Sequence, residues 1–120
     1  MFKRLLMLIV LVLPMLCHGM SFTGSRWSKF GDAYLDQQQT RKQDLWTDLY
    51  FAVPADDGSY IYYHARLRCK QRTYQMLEAK VFSASDVLLS SVAAPTNSLP
   101  RNMDDSSFFT AVHAIYCIGS

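Results

Sequence analysis

Residues 60–83 read YIYYHARLRCKQRTYQMLEAKVFS, and the fold of the chain follows from how this stretch is parsed. In its first half Ile61, Tyr63, Ala65, Leu67 and Cys69 share one parity, while Tyr60, Tyr62, His64, Arg66 and Arg68 share the other. That alternation belongs to a strand with one buried face. Folding the stretch at Lys70 and Gln71 makes a hairpin in which Cys69 pairs with Arg72, Leu67 faces Tyr74 and Ala65 faces Met76, so the apolar face survives the fold-back. The turn lacks the Gly or Asn that two-residue hairpins favour, which leaves open a bulge or a one-residue shift there.

Upstream of the hairpin, Pro54 stops a third strand over residues 45–53, with Leu45, Thr47, Leu49, Phe51 and Val53 on one side and Trp46, Asp48, Tyr50 and Ala52 on the other. Residues 55–59, containing Asp56, Asp57 and Gly58, form the connecting loop. Residues 36–44, DQQQTRKQD, are polar throughout and read as a loop, with a short exposed helical turn as the alternative. Before them come two short strands, residues 26–30 anchored by Trp27 and residues 33–35, separated by a turn at Gly31 and Asp32. Residues 21–28, rich in Ser, Thr and Gly, read as a loosely held start.

Downstream, residues 84–86 form a turn, residues 87–93 have strand composition, and residues 95–100 form a loop. Asn102 is positioned to cap a helix starting near Met103, with Asp104 and Asp105 in its first turn and Gly119 as its stop. Phe108, Ala111, Val112 and Ile115 give that helix its apolar stripe. Cys117 falls about 180° from Phe108 on an ideal helix. Either the helix loosens before Cys117 or both of its sides are covered. The expected fold class is α+β: an antiparallel β-sheet of five to six strands with a C-terminal α-helix packed on one face, and one disulfide.

Residues 1–19 stand apart from this domain. Lys3 and Arg4 precede an apolar run over residues 5–13, then Pro14 and a short segment ending at Gly19, which is the pattern of a cleavable secretory signal. The run is too short to serve as an anchor, since spanning a bilayer takes about 20 apolar residues. A lipoprotein reading would make Cys17 the acylated residue, but the small residues wanted ahead of it are replaced by Pro14, Met15 and Leu16. Cleavage after Gly19 leaves residues 20–120, enough for one domain with a modest core. Removing Lys3 and Arg4 from twelve Lys and Arg leaves a charge near zero against ten acids, so no basic excess argues for nucleic acid. Two cysteines then remain. In an exported chain of this size they are expected to form one bridge, Cys69 to Cys117, worth about 4 kcal/mol on the chain-entropy model.

The chemistry points away from catalysis. His64 and His113 are the only histidines after the signal, and no metal-ligand spacing, nucleophile motif or phosphate-cradling loop is present, so no cofactor is expected. Adjacent acids at Asp56–Asp57 and Asp104–Asp105 are explained by turn chemistry and by the helix dipole. The feature above background is the outward face of the hairpin, where Tyr60, Tyr62, His64, Arg66 and Arg68 follow at period two with Lys70 at the tip. Rings beside guanidinium groups suit anionic or sugar-like surfaces. The competing reading is a solvated sheet face, or one covered by the helix. The candidate contact residues are Tyr60, Tyr62, Arg66, Arg68 and Lys70.

The order of Trp27, Tyr34-Leu35-Asp36, Trp46, Arg66-Leu67-Arg68-Cys69, Arg72-Thr73-Tyr74 and a closing helix with Cys117 resembles the surface-adhesin protein E family of Gram-negative bacteria. The resemblance runs from about Trp27 to Cys117. It implies an antiparallel sheet with a C-terminal helix held to it by Cys69 and Cys117, and it allows homodimers. For function it implies a non-catalytic module of the periplasm or outer-membrane surface that binds a protein partner, including host extracellular-matrix proteins such as laminin and vitronectin. The alternative class is a periplasmic inhibitor or immunity protein that blocks a partner enzyme.

Overall fold

Three long antiparallel strands form the middle of the sheet, and shorter segments share the two outer edges that they leave. The computed structural model describes residues 21–95 and 98–117, so the expected signal segment with Cys17, the middle of the expected loop over residues 95–100 and the expected helix stop at Gly119 lie outside the described residues. In chain order the strands are β1 (Trp27–Phe30), β2 (Ala33–Asp36), β3 (Arg41–Lys42), β4 (Thr47–Pro54), β5 (Tyr60–Arg68), β6 (Thr73–Phe82), β7 (Leu88–Ala93) and β8 (Arg101–Asn102). A 3-10 turn, Met103–Asp105, and the helix α1, Ser107–Tyr116, follow. The sheet order is β1-β2-β4-β5-β6-β7, with β3 also on β4 and β8 also on β6.

Among the described residues the sheet therefore has eight strands, not the five to six expected from the sequence. The excess comes from β3 and β8, two-residue segments reading RK and RN. They have no apolar alternation to betray them, and they pair because their loops run alongside a long strand with a free edge. Arg41 lies opposite Asp48 and Lys42 opposite Thr47, so the polar stretch over residues 36–44 contains a strand as well as a turn. At the other edge Asn102 lies opposite Thr73 and Arg101 opposite Tyr74.

The hairpin register is the one the parity predicts, with Leu67 opposite Tyr74 and Ala65 opposite Met76. The irregularity sits away from the turn. Ala65 pairs with Met76 but His64 pairs with Glu78, so Leu77 is the extra residue of a bulge. That insertion keeps Ala79 and Val81 on the face of Tyr63 and Ile61 and turns Glu78, Lys80 and Phe82 to the other. At the turn itself the Arg72 N–H donates to the Cys69 carbonyl at 3.3 Å. Arg72 takes φ 55°, the left-handed conformation usually left to Gly or Asn.

One face of the sheet meets α1. Leu35, Leu49, Ala65 and Leu67 are fully buried there together with Val112 of the helix. Phe109 stacks on Tyr74 with ring centroids 4.0 Å apart, and Phe108 meets Phe51 at 4.3 Å. The buried stripe of α1 is thus Phe109 and Val112, flanked by half-buried Phe108 and Tyr116, whereas Ile115 of the expected stripe is 55% exposed. This shift of one residue resolves the placement of Cys117. Cys117 lies about 80° from Phe109 around the helix axis, and it follows the helix as its C-cap, with its N–H donating to the His113 carbonyl. The helix also starts later than expected. Asn102 caps only the 3-10 turn, accepting from the Asp104 N–H, and Ser106 then caps α1 by accepting from the Phe109 N–H at 3.3 Å.

The disulfide joins Cys69, at the hairpin turn, to Cys117 at the end of α1, with the Cα atoms 5.5 Å apart. His113 Nε2 donates to the Cys69 carbonyl at 3.1 Å, so one of the two histidines among the described residues is part of this junction.

Candidate binding surface

The candidate residues of β5 occupy the sheet face opposite the helix. Neither reading of a bare solvated face nor of one covered by α1 describes it, because other parts of the chain partly cover its two ends. At one end Phe22 stacks on Tyr34, with ring centroids 5.0 Å apart, and meets Tyr60 edge-on at 5.4 Å. Tyr60 is consequently only 3% exposed; its ring stacks on Phe82 and its hydroxyl donates to Asp86 at 2.8 Å. Burial and that bond to a carboxylate both push the Tyr60 phenol well above its ordinary pKa.

Beside it lies a buried acid. Asp36, the last residue of β2, is inaccessible to solvent and accepts bonds from Arg26 Nε at 3.0 Å and Nη2 at 2.8 Å, a forked pair. It also accepts from the Tyr62 hydroxyl at 2.5 Å and the Gln38 N–H at 3.1 Å. Burial alone would raise the Asp36 pKa, but the bonds from Arg26 and Tyr62 and the Arg26 charge outweigh it, and the carboxyl lies below its usual range. Tyr62 is shifted upward, first by burial and then by its bond to Asp36. Its hydroxyl is fixed in place, and its ring lies 6.1 Å from that of Tyr50.

Further along β5, Asp48 of β4 organises the face. His64 stacks on Tyr50 at 4.3 Å with the rings nearly parallel, and its Nε2 lies 3.2 Å from Asp48 Oδ1. Arg66 holds its guanidinium 4.3 Å above the Trp46 ring, with Nε 3.6 Å from the same carboxylate oxygen. Trp46 Nε1 donates to Asp48 Oδ2 at 3.3 Å. One carboxylate thus bonds a histidine and a tryptophan, while the Arg66 Nε beside it makes no hydrogen bond with the described residues.

The expected contact row divides in two. Tyr60 and Tyr62 border an open depression of about 500 Å³, shared with Arg26, Tyr50, Lys80 and Phe82. Lys70 borders a separate cavity of about 80 Å³ at the hairpin tip, with Lys42, Trp46, Thr47 and Gln71. Arg66 lies between them, while Arg68, at the end of β5, makes no ion pair among the described residues. The sequence reading found the β5 half of this face and missed Arg26, Asp36 and Lys42. It had Asp48 and Tyr50 on the right parity of β4, and the register Tyr50 opposite His64 would have joined the two strips.

Such a face offers ring surfaces and oriented cations, the means of recognition by stacking and charge-assisted hydrogen bonds. Among the described residues no cluster of three or more His, Cys, Asp or Glu side chains is placed to hold a metal ion, and no helix is long and apolar enough to cross a membrane. Compared with known proteins, the chain matches no family model, no curated protein and no solved structure.

Proposed function

We propose that this protein is an exported, non-catalytic binding module of the bacterial envelope, similar in kind to the surface-adhesin protein E family, which engages a protein partner through the sheet face opposite its helix. The observation that carries the reading is the preorganisation of that face. Hydrogen bonds to Asp36 and Asp48 hold Tyr62, His64 and Trp46 in place, and Arg66 rests on the Trp46 ring near Asp48, so ring faces and a cation are presented at the surface. Locked side chains lose little entropy on binding, which is what a recognition surface gains from such internal bonds. The disulfide supports export, because such bonds persist in oxidising compartments, here the periplasm or the outer-membrane surface. Matrix proteins such as laminin and vitronectin are the partners that the resemblance names.

The test is binding of the purified protein to immobilised laminin and vitronectin, with circular dichroism as a check on folding. The paired change Arg66→Ala and Arg68→Ala should weaken binding about tenfold or more while the domain stays folded. Unchanged binding would remove this face from the function. Loss of the fold would make the two arginines structural.

A further inference from the structure

The two edges of the sheet are finished differently. β1, at one edge, is four residues long and carries the exposed Lys29. β3 and β8, each lying along part of a longer strand, carry Arg41 with Lys42 and Arg101. Edge strands leave backbone donors and acceptors unpaired, and charged residues on them deter a further strand from adding. β7, at the opposite edge, has no such guard. Among the described residues it pairs with β6 alone, and residues 87–94 contain neither a charge nor a proline. Val87, Leu88, Leu89 and Val92 are all more than half exposed.

The register shows which backbone groups of β7 are free. The Ala94 N–H donates to the Leu77 carbonyl at 2.9 Å, while Val92 lies opposite Ala79 and Ser90 opposite Val81. In an antiparallel ladder, bonded pairs alternate with unbonded ones. Ala94, Val92 and Ser90 therefore direct their N–H and C=O groups to β6, and those of Ser91 and Ala93 point away from the sheet. No bond from another part of the chain reaches them among the described residues. Ser91 lies opposite Lys80 and Ala93 opposite Glu78, on the face of Tyr62 and His64. Val92 lies on the other face, where α1 does not cover it. A strand added to β7 would set every second residue beside Val92 and the residues between them on the face of Lys80 and Glu78.

A second copy of β7 is a poorer match for this edge. Two-fold pairing of Ser91 with Ala93 sets Pro95, which has no N–H, opposite Leu89 at both ends, and pairing centred on Ala93 sets Pro95 opposite Ser91. Pairing centred on Ser91 sets Leu89, the extra residue where the β6–β7 register shifts, opposite Ala93. A separate segment brings neither irregularity.

We propose that β7 takes up an extended segment of a protein partner as a further strand, bonded through the N–H and C=O groups of Ser91 and Ala93, with apolar residues of that segment beside Val92 and polar ones on the face of Lys80. Main-chain bonds give such recognition its affinity, and the alternate side chains give its selectivity. The proposal rests on the binding-module reading and gives the form of the partner's contact.

The test adds a short peptide in which Val alternates with Thr to the isotope-labelled protein and follows amide hydrogen exchange by NMR. The peptide should bind and slow exchange at Ser91 and Ala93 but not on β1. N-methylation of the Thr amides, which would face β7, should abolish binding, whereas N-methylation of the Val amides, which would face away, should leave it. Ser91→Pro removes an N–H directed away from β6, and Ser91→Lys adds an edge charge; each should weaken binding about tenfold without loss of the fold. Lys29→Ala should change nothing. Unaltered exchange at Ser91 and Ala93, equal binding by the two methylated peptides, or wild-type binding by both Ser91 variants would each overturn the proposal. So would a protein that dimerises alone with Ser91 and Ala93 already protected, because the occupant would then be a second copy. If the peptide leaves these amides open while matrix proteins bind, and Arg66→Ala with Arg68→Ala abolishes that binding, the edge assignment falls and the binding face stands. If the peptide is held at β7 while no matrix protein binds, the edge assignment stands and the matrix-protein reading falls.

Discussion

The part of the sheet beneath α1 and the part beyond it belong to one meander, yet they are covered very differently. Under the helix, Leu49, Ala65 and Leu67 are inaccessible to solvent. On β7, Val92, which lies opposite Ala79 on the helix side of the sheet, is 64% exposed. The cause is geometric. A ten-residue helix is about 15 Å long, while six strands spaced about 4.8 Å apart span roughly 24 Å. The disulfide and the His113 bond fix the end of α1 at the hairpin turn, so the helix cannot slide to serve the far edge. An alternating apolar pattern thus identifies a strand without saying whether anything packs on it.

Changes to this contrast should follow the same order as burial. Leu67→Ala removes a fully buried side chain beneath the helix and should cost about 2–5 kcal/mol in urea unfolding. Replacing Cys69 and Cys117 together with Ala should cost about 2–5 kcal/mol. By hydrogen exchange the loss of protection should concentrate in α1 and the β5–β6 turn, and equal loss in β7 would show that the staple supports the whole sheet. Asp36→Asn keeps the shape but weakens the bonds to Arg26 and Tyr62, at about 1–3 kcal/mol near neutral pH. Because the folded Asp36 pKa is depressed, its contribution is present above the unfolded carboxylate value of about 3.9 and disappears as the pH falls through the folded value. The stability curves of the wild type and of the Asp36→Asn variant should therefore converge below about pH 4, and a constant gap would mean that the charge is not what matters. Leu89→Ala, on the uncovered edge, should change stability by no more than about 0.5 kcal/mol. A cost near that of Leu67→Ala would show that β7 is packed against something in solution.

Where parity and turn length act together, the structure was legible in the sequence. Leu67 faces Tyr74 and Ala65 faces Met76 because a short turn leaves few registers that preserve the apolar face. The Leu77 bulge was not legible, since no Gly marks it and an apolar residue there merely continues the run. β3 and β8 were hidden because two polar residues carry no period. The helix was misplaced by its own ambiguities. Asn102 and Ser106 are both good caps, and either of the adjacent rings Phe108 and Phe109 could begin the stripe, so local preference alone could not choose. At the binding face, the parity of Tyr62 and His64 was readable. Asp36, the buried partner of Tyr62, lies 26 residues away at the head of a polar run and gave no sign of burial.

The spacing of the two bridged cysteines also sets an order of events as the chain is made from its N-terminus. Cys69 emerges 48 residues ahead of its partner, and β6, β7, β8 and α1 all lie between them. Every described strand is thus available to pair before the second thiol arrives, and until then Cys69 lacks its partner. The covalent bond is therefore the last link the chain order permits, possible only once every described strand and the helix have been made.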